Sequence, residues 1–233
     1  MLREKILRYA RKAGERIVPV RQRLRLRYHL HRLSTTCEPE LLCLGQLPFR
    51  REGVAIDVGA NWGDYTFSMS ELFEKVYAFE INECLISDLR AAARENIEII
   101  PKGLSSSEGK ATLYIPRYKG VLLNGWASLD PGASFPSGDV VEKPVRIATL
   151  DSMAVENVSL IKIDAEGHER EVLEGARETL RESRPLAIVE IGKENRETVR
   201  RFFADLGYET RTLEDLIGVP GSRFNRIFVP RES

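Results

Sequence analysis

The stretch VAIDVGANWGDYTF, Val54 to Phe67, constrains the fold more than any other part of the chain. Val54, Ala55, Ile56 and Val58 form a short apolar run broken by one carboxylate, Asp57, which predicts a buried strand. Gly59 and Gly63 follow, four residues apart, with Asn61 between them. Phe67 and Leu72 then fall at helical spacing, with Asp64 near the expected first turn. Strand, glycine turn and helix in that order predict an open parallel sheet that presents the turn at its carboxyl edge to a ligand. A second strand, VYAFE, ends in Glu80, 21 positions after Gly59. That is close to the ~20 expected for an acid that reads ribose hydroxyls. The ligand class indicated is nucleoside-containing.

The remainder continues the alternation. Ile81 to Glu95 reads as a helix with Leu85, Ile86, Leu89 and Ala93 as its buried stripe, and Ile97 to Ile100 as a third strand. A turn at Ser107 to Lys110 precedes the strand-like ATLYI, and Arg117 to Lys143 is rich in glycine and proline. A loop of that length inside a domain is usually functional, so Trp126 and Ser128 within it are candidate acceptor-binding residues on a lid. Val145 to Asp151 predicts a short strand, Leu160 to Ile163 a buried one, and Val172, Leu173, Ala176 and Leu180 a helix stripe. LAIVEI, a helix over Thr198 to Leu206, and two closing strands, YETRTL and FNRIFVP, complete the pattern. The boundaries expected are a basic extension over 1–33, a connector over 34–53 and one α/β domain over 54–233 with an inserted hairpin and loop at about 105–143.

Zero net charge over 233 residues conceals an asymmetry. Up to Arg32 there are eleven Lys or Arg residues against Glu4 and Glu15, a local charge of +9. Leu2, Ile6, Leu7, Ala10, Ala13 and Ile17 mark residues 1–18 as an amphipathic helix that Pro19 ends. Residues 1–33 are either a solvated helical arm packed on the domain, a surface that rests on anionic lipid or on a polyanion, or a targeting segment. The early glutamates and scarce serines count against the last. Three cysteines, Cys37, Cys43 and Cys84, form no CxxC pair, which favours a reducing compartment such as the cytoplasm, with the arm allowing a peripheral membrane location.

Four strands end in acids: Asp57, Glu80, Asp164 and Glu190. A parallel sheet gathers them at one edge, where they suit a ligand bearing hydroxyls and positive charge. G-A-N-W-G lacks the G-x-G-x-x-G spacing of a pyrophosphate turn and has no G-K-[ST] ending. S-adenosyl-L-methionine fits better than a dinucleotide, with its ribose hydroxyls at Glu80 and its ammonium and sulfonium near Asp57.

D-x-G-A-N-x-G, F-E, T-L-D, K-I-D-x-E-G-x-E and V-E-I, in that order between Val54 and Ile191, resemble the FkbM family of S-adenosylmethionine-dependent methyltransferases. The resemblance implies a class I methyltransferase fold, a Rossmann-like, mostly parallel seven-stranded sheet with an antiparallel closing strand. It implies Asp57, Gly59, Asn61 and Gly63 around the methionine end of the cofactor and Glu80 at the ribose. No acid follows the third strand, which leaves Ser105, backbone and apolar packing for adenine. Ser128 resembles the family's small, serine-rich segment before T-L-D. Asp164, Glu166 and His168 fall where the fold meets its acceptor, which the family makes a hydroxyl on a sugar, glycolipid or natural product. Glu190 closes the acceptor side.

Transfer to a hydroxyl needs a positioned base. His168, able to titrate near neutral pH, is one candidate and Asp164 the other, with Lys162 two residues earlier on the same strand face to pair with Asp164 or orient the acceptor. Gly167 breaks the strand between Glu166 and His168, which argues against a metal site there. Two other functions compete with a small-molecule or glycan methyltransferase. One is a nucleic-acid methyltransferase, suggested by the basic arm but opposed by the arm's having only Tyr9 and Tyr28 for base stacking. The other is a non-catalytic cofactor-binding or membrane-peripheral protein.

Overall fold

A computed structural model describes residues 14, 17–133, 135 and 139–231. The amphipathic helix expected over 1–18 lies outside the described residues except for Gly14, Ile17 and Val18. In chain order the elements are α1 (Arg23–Arg32), α2 (Pro39–Leu42), β1 (Val54–Val58), α3 (Asp64–Ser70), β2 (Lys75–Phe79), α4 (Glu83–Ala92), β3 (Ile97–Ile100) and β4 (Gly103–Leu104). Next come β5 (Gly109–Tyr118), β6 (Val121–Leu122), β7 (Val140–Ala148), β8 (Val158–Ile163), α5 (Glu169–Glu174) and α6 (Arg177–Ser183). The chain ends with β9 (Leu186–Glu190), α7 (Arg196–Asp205), β10 (Tyr208–Arg211), α8 (Leu213–Ile217) and β11 (Asn225–Pro230).

Seven strands form one sheet in the order β10-β11-β9-β8-β1-β2-β3. Its pairings are parallel except at β11, which runs antiparallel to both β9 and β10. All six residues of β8 are buried, as expected for a central parallel strand covered on both faces. Period-two alternation sends Ala55, Leu160 and Ile188 into one core and Ile56, Ile161, Ile163 and Val189 into the other. The first core is closed by Leu24 and Tyr28 of α1, Leu41 of α2 and Phe67 of α3; the second by Val172 of α5, Leu180 of α6 and Phe203 of α7. The chain leaves β1 toward β2 on one side and reaches β8 on the other, so the order reverses beside β1. That switch point opens a crevice at the carboxyl ends of the strands.

Three departures from the sequence pattern bear on the site. RQRLRLRYHLHRL, which matches neither helix nor strand cleanly, forms α1 because Leu24 and Tyr28, four apart, pack on α3 while Arg25 and Arg32 stay in solvent. Arg117 to Lys143 is only partly loop. β5 continues to Tyr118 and β7 begins at Val140, pairing antiparallel from Gly109/Ile147 to Pro116/Val140 through Pro144, which reads as a stop in sequence. With β4 and β6 they make a second, four-stranded sheet. Third, the helix stripe Val172 to Leu180 belongs to two helices. Gly175 caps the first, and only glycine fits there because a Cβ would lie 2.0 Å from the Ser105 carbonyl oxygen. The T-L-D acid, Asp151, accepts from the amides of Glu178 and Thr179 and from the Thr179 hydroxyl, which anchors α6.

Candidate active site

The turn after β1 packs against the loop after β8. Gly59 has φ +76, and a Cβ on it would stand 1.9 Å from the Asp164 carbonyl oxygen, so only glycine allows this approach. The Gly59 and Ala60 amides both donate to the Phe79 carbonyl (3.0 Å each). Asn61, also left-handed at φ 50, donates its amide to Glu80 Oε2 at 2.8 Å. The amides of this turn are thus spent inside the protein, which is the physical reason it does not act as a phosphate cradle. Glu80 Oε1 accepts from the amides of Ile81 and Asn82 at 2.8 Å each. Burial raises its carboxyl above the ordinary range, and those three amides oppose the rise.

Two cavities meet at Gly59, Asn61 and Asp164. The first is lined by Glu80 at the end of β2, by Ile81, Leu104 and Val172, and by Asn124, Gly125 and Leu129 of the inserted segment. Its acid beside apolar walls suits a ribose and a base. The second lies on the face that β1 and β8 turn toward α1. Asp57 and Lys162 are register partners there, and Glu38, His31 and Tyr65 complete the wall. Asn61 Oδ1 is buried at the junction without a hydrogen-bond donor, an acceptor left for a ligand.

Charge in the second cavity is concentrated. Asp57 accepts from Thr66 Oγ1 at 2.5 Å, and burial pushes its carboxyl up to about 6. Burial lowers the Lys162 ammonium, but the carboxylates around it, Asp164 foremost, outweigh this and hold it above the ordinary lysine value. Lys162 Nζ lies 4.0 Å from Asp164 Oδ2. Burial raises Asp164, opposed by Lys162. Glu166 is pushed to about 8 and Glu190 to about 7, in both cases by burial first and Asp164 second.

The expected site residues separate into groups. Asp57, Gly59, Asn61, Glu80, Lys162, Asp164, Glu166 and His168 line one or both cavities. Gly63 does not; a Cβ there would strike Leu24 and Leu89 at 2.7 Å, so it lets α1 and α4 close on the turn. Ser105 also stands off the cavities, its hydroxyl 2.9 Å from His168 Nε2. With the other ring nitrogen 3.7 Å from Glu171, His168 is held from both sides, and burial lowers its pKa. Ser128 is a pin, donating to the Glu166 carbonyl at 2.6 Å and accepting from the Asp130 amide at 3.0 Å. Trp126 is 55% exposed and lines neither cavity; its neighbours Asn124, Gly125 and Ala127 do. Glu190, half-buried at the end of β9, lines neither. Glu38, His31 and Tyr65 were not indicated by the sequence, whose one hint was the Glu-Pro helix start at 38–39.

A Rossmann-like sheet with one reversed strand, and a crevice pairing an acid with an apolar wall, define a class I methyltransferase fold. The chain matches the methyltransferase FkbM domain over residues 57–210. It belongs to the FkbM family of methyltransferases, and its cofactor is S-adenosyl-L-methionine. The crystal structure of methyltransferase FkbM from Methylobacillus flagellatus KT has the same fold, with a TM-score of 0.55 at 15% identity, covering 88% of this chain and 52% of that one. This chain therefore spans about half the length of that relative. An rRNA methylase from Streptococcus thermophilus aligns at a TM-score of 0.48 and 15% identity, over 83% of this chain and 95% of that one. SMU.1697c from Streptococcus mutans, in complex with SAH, aligns at 0.49 and 13%, over 81% and 94%. A sequence search of curated proteins gives no match.

The residues present fit the cofactor: Glu80 for ribose hydroxyls, the apolar wall for adenine, the flush Gly59 turn and the orphaned Asn61 acceptor between the cavities.

Proposed function

We propose that the protein methylates a hydroxyl oxygen, the acceptor being a sugar, glycolipid or related natural product. The observation that carries this is Asp164, a carboxylate at the junction of the two cavities whose basicity burial raises. Bound S-adenosylmethionine supplies an electrophilic methyl group. The chain has three tasks around it: to align the acceptor oxygen, to exclude water and to take the hydroxyl proton. Asp164 Oδ2 takes that proton as the new oxygen–carbon bond forms, and Lys162 beside it keeps the carboxylate ionised beforehand. His168, clasped by Ser105 and Glu171, orients the loop rather than serving as base. Asn124, Gly125 and Leu129 cover the first cavity and shield it from water.

The test is transfer of labelled methyl from S-adenosylmethionine to glycan and lipid extracts, with the product located by mass spectrometry. An O-methylated product is expected, and Asp164→Asn should reduce kcat/KM by about 10²–10⁴ while still binding S-adenosylhomocysteine. Methylation at nitrogen or carbon, or an Asp164→Asn chain with undiminished transfer, would overturn the assignment.

A further inference from the structure

The second cavity carries more than the turn explains. Lys162 is 1% exposed, yet its three N–H donors have few partners. Its one hydrogen bond is 3.4 Å long, to the Ile163 carbonyl, and the Asp164 carboxylate stands at 4.0 Å. The Tyr65 ring lies 5.2 Å away. The surrounding carboxylates balance the Lys162 charge, but buried N–H donors left without close acceptors are costly. The walls around this ammonium, however, are acidic, with Glu38, Asp57, Asp164 and the His31-paired Asp64 all lining the cavity. An anionic ligand would meet four carboxylates, and a cationic one would leave the Lys162 donors unmet. A ligand end carrying both charges close together satisfies each wall.

Glu38 is placed for one half of that task. It lies in the connector, ahead of the stretch matching the family domain, and is fixed from two sides. Its Oε2 accepts from Tyr65 Oη at 2.9 Å and from Asn225 Nδ2 at 2.6 Å. The neighbouring Glu40 accepts from the Ser222 amide at 2.8 Å, which ties the connector to the C-terminal part of the chain. The carboxylate is thus held in place before any ligand arrives, and reorganisation costs little.

We infer that, where the β1 turn meets the amino-acid end of S-adenosylmethionine, Lys162 partners its carboxylate and Glu38, from outside the family-matched region, faces its ammonium together with Asp57. The inference rests on the proposed cofactor chemistry and adds a recognition role for Lys162 and Glu38. The segment before β1 is then part of the cofactor site.

The test compares two ligands by titration calorimetry on the full chain: S-adenosylhomocysteine, which has the amino-acid end, and 5′-methylthioadenosine, which lacks it. Wild type should bind both, the former more tightly. Lys162→Met should weaken S-adenosylhomocysteine by about 10-fold to 100-fold, the range for a lost hydrogen bond to a charged group, and leave methylthioadenosine within about twofold. Glu38→Gln should act in the same direction. Equal weakening of both ligands, or of neither, overturns the inference. If Lys162→Met does not fold, as judged by circular dichroism, Glu38→Gln decides by the same comparison. Wild type that binds neither ligand refutes the proposed function itself, a result distinct from both.

Discussion

At the scale of single residues, the site is a set of carboxylates kept where water is scarce. Asp57 is the clearest case because it is 2% exposed and stays on the β1 face that looks toward Lys162. Its carboxyl is pushed up to about 6, so the folded chain binds that proton more tightly than the unfolded chain does. The sign follows from linkage: stability from this group is greatest below the ordinary aspartate range and falls as pH rises to about 6. A shift of this size corresponds to about 3 kcal/mol. Thermal unfolding of the ligand-free protein should therefore show a midpoint that drops between about pH 4 and pH 6, and Asp57→Asn should flatten that slope. An unchanged slope in the variant would remove Asp57 as its source. Asp57 and Asp164 were visible in sequence because they end strands beside glycines. Glu38 was not, since no local pattern foretells that a connector will fold back over a sheet edge.

Among the elements, those built from short-range pattern were legible and those built from long-range pairing were not. The strands β1, β2, β3, β8 and β9 follow directly from apolar runs, and α4 from its stripe, because each needs only its own residues to declare a buried face. Of the insert, a hairpin and strands at ATLYI and Val145 to Asp151 were legible, but their extension and pairing into one sheet were not, since β7 pairs with β5 across some thirty residues and shows solvent every second position. The insert is held over the site by Ser128, whose backbone also exchanges hydrogen bonds with Tyr114 of β5 at 2.9 and 3.0 Å. Losing the buried hydroxyl leaves the Glu166 carbonyl without that donor. In Ser128→Ala, hydrogen exchange over residues 121–130 should accelerate by about tenfold, matching about 1–2 kcal/mol of lost local protection, while the seven-stranded sheet keeps its own. Exchange that stays at the wild-type rate would show that the insert is fixed by other contacts.

For the whole molecule, the sheet order places the reversal beside β1, and the candidate site collects there. The family-matched region supplies the turn, Glu80 and the β8 loop, while α1 and the connector close one cavity and the insert closes the other. Arg27 of α1 reaches Asp88 of α4 at 2.8 Å and His31 reaches Asp64 at 2.9 Å, so the described part of the basic extension is built into the body. Among the described residues, no helix is long and apolar enough to cross a membrane. In the proposed complex one ligand occupies both cavities across the Gly59 turn. Calorimetric titration of the full, folded chain with S-adenosylmethionine tests it most directly: one saturable site per chain is the predicted result, and a folded chain that takes up no S-adenosylmethionine would contradict the account.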